Sequence, residues 1–163
     1  MISATHLTSE VINPVLEHLE RVKPGMNRPA AGMLLLGTAA QESDLGFFLR
    51  QHPTGPARGV WQMERATVID IWDRYLKKPG NEKLRDAVHV LWTGEEDPAD
   101  EITWNLKLAC ALARIRYWMV PIPIPSDLAG QARYWDVYYN ANDKDEQAEY
   151  LASYEEFVMA GFL

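Results

Sequence analysis

Pro29-Ala30-Ala31-Gly32-Met33-Leu34-Leu35-Leu36-Gly37-Thr38-Ala39-Ala40-Gln41-Glu42-Ser43 is the stretch on which the reading of the fold turns. Proline suits the first turn of a helix, where its missing N–H would find no partner in any case. The residues that follow are apolar or small on nearly every face. The pattern therefore predicts a helix that runs through the interior of a domain instead of lying on it. Its charged residue, Glu42, comes at the very end. A carboxyl delivered there is partly stripped of water, which disfavours its charged form and raises its pKa. A proton donor working near neutral pH needs that shift. On its own, Glu42 also reads as a carboxylate that leaves for solvent as the helix ends.

Outward from this helix the chain reads as further helices. Leu7, Val11, Val15 or Leu16, and Leu19 fall at helical spacing over about Ser3 to Val22, and Pro24-Gly25 ends that segment. Between Asp44 and Gly59 the prolines and glycines at 53, 55, 56 and 59 mark a loop. A helix over about Glu64 to Leu76 follows, then a shorter one over about Asn81 to Leu91, and Gly94-Glu95-Glu96-Asp97-Pro98 reads as an exposed turn. Asp100 is a candidate cap for a long helix ending near Met119. Pro121-Ile122-Pro123-Ile124-Pro125 is stiff and extended, and too short to link domains. Ser126 is the candidate cap of a helix to about Tyr139, and a last helix covers about Glu146 to Met159. Alternating strand patterns are scarce and no internal repeat is evident. The expectation is a mostly α chain forming one domain over residues 1–163.

Composition narrows the function classes. The chain has 163 residues, 47% of them hydrophobic, with six Trp and seven Tyr, enough for a packed interior. A formal net charge of −7 and the lack of a Lys/Arg cluster argue against nucleic acid as a partner. The same acidity argues against gripping an anionic surface by charge, whereas a neutral polymer held by hydrogen bonds and stacking suits it. The single cysteine, Cys110, allows neither an internal disulfide nor a cysteine metal site, and reads as a small buried apolar residue. His6, His18, His52 and His89 are scattered without metal-ligand spacing, so no zinc site is expected. No apolar run reaches membrane-spanning length, and Met1–His6 shows no basic stretch leading into an apolar core. The expectation is a chain made in the cytoplasm without stable membrane insertion.

Three further motifs follow Glu42-Ser43 in order. Gly59-Val60-Trp61-Gln62-Met63 leads to Ala66-Thr67, Trp104-Asn105-Leu106-Lys107-Leu108-Ala109 opens a helix, and Tyr138-Tyr139-Asn140-Ala141-Asn142 closes another. Together they resemble the lytic transglycosylases of the lysozyme-like superfamily. That family has Glu-Ser ending a buried helix, then Gly-Leu-Met-Gln and Ala-Thr, then a helix beginning near Asn, then Tyr-Asn-Ala-Gly. The likeness covers about half the chain, from Leu35 to Thr67 and from Asn105 to Asn142. Here Val60-Trp61 stands where the family has Leu-Met, and Asn142 replaces its last glycine, a residue type that tolerates a left-handed backbone. Trp61 reads either as core or as an indole face for a sugar ring. The segment from Asp73 to Asp100 has no counterpart, and a helical insert beside the cleft is expected there.

The resemblance implies a single lysozyme-like domain whose substrate is the glycan strand of peptidoglycan. It makes Glu42 the general acid and later the general base. It assigns Ser43, Gln62, Tyr139 and Asn140 to the substrate, with the Tyr139 hydroxyl near the Glu42 carboxyl; read singly, Gln62 is also a loop amide and Tyr139 a core aromatic. It implies cleavage of the β-1,4 link between N-acetylmuramic acid and N-acetylglucosamine with closure of a 1,6-anhydro ring, a reaction that needs no metal or organic cofactor. It also suggests a tailed-phage product acting on a host cell wall, with other virion proteins as possible partners. Two alternatives stay open. One is a phage structural or ejection component of the same fold with secondary or no lytic activity. The other is a hydrolytic lysozyme, which calls for a second carboxylate about 5–5.5 Å or ~6.5–9.5 Å away. Asp44 would point elsewhere if the helix continued, and Glu64 reads as a helix cap or a solvated side chain.

Overall fold

The structure, a computed structural model, describes residues 1–51, 54–140 and 145–160. Among them the chain forms eight helices and no strand. The first, α1, runs without a break through Ala4–His6, Leu7–Ile12 and Asn13–Glu20, and the Ser3 hydroxyl accepts the His6 N–H at its start. Its middle section is a π-helix with i→i+5 bonding, as in Asn13 N–H to Thr8 O. Pro14 follows directly. A proline lacks the amide hydrogen and crowds the turn before it, and the wider turn accommodates that crowding.

Helix α2 (Pro29–Ser43) is the interior helix expected, with nine of its fifteen residues buried, from Ala31 to Ser43. It is wrapped by α1, by α6 (Leu106–Trp118), by α7 (Leu128–Trp135 continuing as Asp136–Asn140) and by α8 (Gln147–Ser153 continuing as Tyr154–Met159). The approach of α8 is close enough to demand a glycine: a Cβ at Gly37 would lie 2.0 Å from the Tyr150 hydroxyl. Helix α6 is the second interior rod, its Leu108, Ala109, Leu112, Ala113 and Ile115 shielded from solvent together with Cys110. Fully burying side chains of leucine size stabilises by about 1.5–3 kcal/mol each, so this paired interior fixes where the end of α2 lies.

The smaller helices are α3 (Arg65–Ile69 continuing as Asp70–Tyr75), α4 (Glu82–His89) and α5 (Pro98–Glu101). Two caps differ from expectation. Asp97 caps α5 through Ala99 N–H and Asn105 caps α6 through Leu108 N–H. Asp100 lies inside α5 and faces Arg58 and Arg65 in ion pairs, and Asp97 also pairs with Arg65 through its other oxygen. Asp127, one residue after Ser126, caps α7 through Gly130 N–H. The segment Asp73 to Asp100 carries a helix, and its end is tied by ion pairs of Asp97 and Asp100 to Arg58 and Arg65. Its helix α4 packs on α1 and α6, with the His18 ring 2.9 Å from Ala87 O, and none of it lines the cavity described below. No helix among the described residues is long and apolar enough to cross a membrane.

Candidate active site

The last turn of α2 meets a tight turn at Gly59–Gln62, and the site lies where they join. Gly59 has φ +74°, and a Cβ there would sit 2.2 Å from Ile102 O, so no other residue fits without moving that backbone. Trp61 is fully buried, and its Nε1–H donates to Leu35 O at 2.9 Å. The indole is thus core, and it clamps the turn to α2. Ser43 clamps it from the other side. Its hydroxyl donates toward Val60 O at 2.7 Å and accepts Gly46 N–H at 2.9 Å. With no exposure left, Ser43 is part of the frame and cannot reach a sugar, which corrects the expectation for that residue.

Glu42, one position earlier, opens onto a cavity of about 380 Å³. Gln62, Tyr139 and Asn140 share that cavity, so four of the five residues singled out in the sequence come together. The Tyr139 hydroxyl donates to Trp61 O at 2.6 Å and does not bond Glu42. Gln62, at φ 41°, turns its amide onto Gly59 O at 2.7 Å and so holds its own turn in shape while lining the cavity. Asn140 donates to Glu146 Oε2 at 2.7 Å.

The partners of the Glu42 carboxyl are ones the sequence did not suggest. Trp135 Nε1–H donates to Glu42 Oε1 at 2.9 Å. Trp135 stands four residues before Tyr139, so the two share one side of α7, and that spacing was the available signal. Arg116 also lines the cavity, stacked with its Cζ 3.9 Å from the centre of the Tyr139 ring and hydrogen-bonded to Tyr139 O. Burial pushes the Glu42 carboxyl up to about 7, the Glu146 charge adds to that rise, and the Trp135 N–H and the Arg116 guanidinium oppose it. Desolvation therefore wins over both donors, and the group holds its proton in a substantial share of molecules near neutrality.

Two other acids were weighed as second carboxylates. Asp44 ends α2 in a left-handed conformation (φ 51°) and is not among the residues lining the cavity. Glu64 stands at the N-cap position of α3 but makes no side-chain cap bond, and it lines the Glu42 cavity. Among the described residues no three His, Cys, Asp or Glu side chains gather into a group that could hold a metal ion. The chain matches none of the family models, curated proteins or solved structures with which it was compared.

Proposed function

We propose that this chain is a peptidoglycan-cleaving glycosidase of the lytic-transglycosylase kind, with Glu42 as general acid and then general base. One observation carries the reading. A carboxyl held up to about 7 by burial faces a cavity that also presents Gln62, Tyr139 and Asn140. In the forward step the protonated Glu42 gives its hydrogen to the oxygen leaving from the muramic sugar. The carboxylate formed is stabilised by the Trp135 N–H and by the Arg116 charge. It then takes the proton from the 6-hydroxyl of the same sugar, whose oxygen closes on C1 to give the 1,6-anhydro ring. One acid cycling one proton suffices, and the four residues act on glycan strands without any group from outside the chain.

The experiment is digestion of purified peptidoglycan with the chain and with Glu42→Gln. The wild type is expected to release anhydro-muropeptides. The variant, folded by circular dichroism, is expected to lose about 10²–10⁴-fold in rate. Clearance by the variant at the normal rate would remove the assignment.

A hydrolytic lysozyme is the second reading, and Glu64 favours it, since a second carboxylate lining the cavity could activate a water. Products one water heavier than the anhydro sugar, together with loss of activity in Glu64→Gln, would select it.

A further inference from the structure

A second cavity, of about 640 Å³, opens at the opposite end of α2 and takes no part in the chemistry above. Arg28 and Ala30 bound it at the start of that helix, Arg114 and Trp118 from α6, and the Pro121–Ile124 run and Tyr134 close it over. None of its lining residues is Asp or Glu. Its walls are thus mostly apolar, with two guanidinium groups, and Glu20, whose charge reaches both of them, lies outside the lining.

Arg114 is the anomaly. It is 3% exposed, and its Nε–H donates to Met26 O at 2.9 Å and one Nη to Gly25 O at 3.3 Å. The other terminal nitrogen, Nη1, is shut off from solvent and has no hydrogen-bond partner among the described residues. No carboxylate stands in ion-pair contact with it among those residues. Glu20, whose charge it feels, accepts instead from the N–H groups of Gly25 and Asn27. The Trp118 ring, 5.2 Å from Cζ, offers a face but no negative charge. Burial pulls Arg114 down to about 10, which leaves it charged at neutral pH. A buried guanidinium with no carboxylate in contact, only the nearby Glu20 charge, favours an anion brought beside it.

The form of that anion follows from the walls. A carboxylate matches the planar guanidinium fork. A doubly charged group such as phosphate would bring a second charge against Trp118 and the Pro-Ile run, where desolvation opposes it. The volume falls within the range of about 300–1,000 Å³ usual for small-molecule sites, and apolar walls reward an apolar body. We propose that this cavity binds a small monocarboxylate with an apolar body, its head on the exposed guanidinium of Arg28 at the rim and drawn inward by the Arg114 charge behind the wall. The site is independent of the reading of Glu42.

The test is titration of the ¹⁵N-labelled chain with 4-phenylbutyrate, indole-3-propionate and octanoate, each beside its primary amide. At least one carboxylate is expected to shift the Arg114 Nε–H and Trp118 Nε1–H signals in a saturable way, its amide binding at least about tenfold more weakly. Arg114→Met is expected to abolish the preference. Ala30→Phe, which fills the cavity and leaves Arg114 in place, is expected to abolish binding, and it carries the test if Arg114→Met does not fold. Equal binding of acid and amide, unchanged binding by Ala30→Phe, or no saturable shift with any of the three acids would overturn the proposal.

Discussion

The two ends of α2 bury opposite charges, and the protein treats them differently. At the C-terminal end, Glu42 meets Trp135 and Arg116 beside a cavity, and its burial is relieved by proton uptake near neutrality. At the N-terminal end, roughly 20 Å away at 1.5 Å per residue, the cavity beside Ala30 holds Arg114, which keeps its charge and leans on two backbone carbonyls. A carboxyl can leave the charged state at modest cost because its ordinary pKa lies only a few units below neutrality. A guanidinium cannot, because its ordinary pKa lies far above. The same interior therefore yields an acid that can give up a proton at one end and a fixed cation at the other.

Substitution can break this contrast. The largest effect is expected from Glu42→Gln, which under the proposed function should slow glycan cleavage about 10²–10⁴-fold and yet stabilise the fold. A carboxyl raised in the folded state binds its proton more tightly there than in the unfolded chain. Stability from this group is greatest below its unfolded value and is lost as pH rises through the window from about 4.5 to about 7. At roughly 1.4 kcal/mol per pKa unit, removing the charge should return on the order of 3 kcal/mol at pH 8, or several degrees in Tm. A Tm unchanged between wild type and variant at pH 8 would break the contrast from the acidic side. Arg114→Met should do the reverse and lower stability by about 1–3 kcal/mol, since the carbonyls of Gly25 and Met26 lose their donor. Urea denaturation would measure this, and a stabilised variant would contradict it.

Ser43→Ala tests the frame. With its bonds to Val60 and Gly46 gone, the loss should be about 1–2 kcal/mol. Cleavage should weaken because the Gly59–Gln62 turn loosens, and full activity with lowered stability would detach that turn from catalysis. Trp135→Phe should have the smallest effect on chemistry. Without its N–H the Glu42 carboxylate is less favoured, so the pH above which cleavage declines should move up by up to about one unit. A downward move would show that the bond acts in the opposite sense.

Much of this arrangement was legible in the sequence. The all-round apolar character of residues 29–43 gave both a buried helix and the position of Glu42 at its end, and the order of later motifs brought Gln62, Tyr139 and Asn140 to the same cavity. Hydrogen-bond partners were less legible, because an adjacent pair such as Glu42 and Ser43 diverges by about 100° around a helix. Only packing decides which of the two faces the cavity. The caps show the same limit. Asp97 and Asp100, or Ser126 and Asp127, are chemically interchangeable at a helix start, and only the position at which each helix begins decides which of them caps. The π-turns at Leu7–Ile12, Asp70–Tyr75, Asp136–Asn140 and Tyr154–Met159 leave no periodic trace in the sequence, yet the third shapes the corner that carries Tyr139 and Asn140. Arg114 and Arg116 are two residues apart on an apolar helix, and that spacing alone sends them to different sides, one to each cavity.

The central claim is a protonated carboxyl at position 42 near neutral pH. Its direct measurement is a ¹³C NMR titration of the glutamate side-chain carboxyls, with the Glu42 resonance assigned by its disappearance in Glu42→Gln. A midpoint close to 7 is the result this account predicts. A midpoint at the ordinary glutamate value, about 4.3, would contradict it.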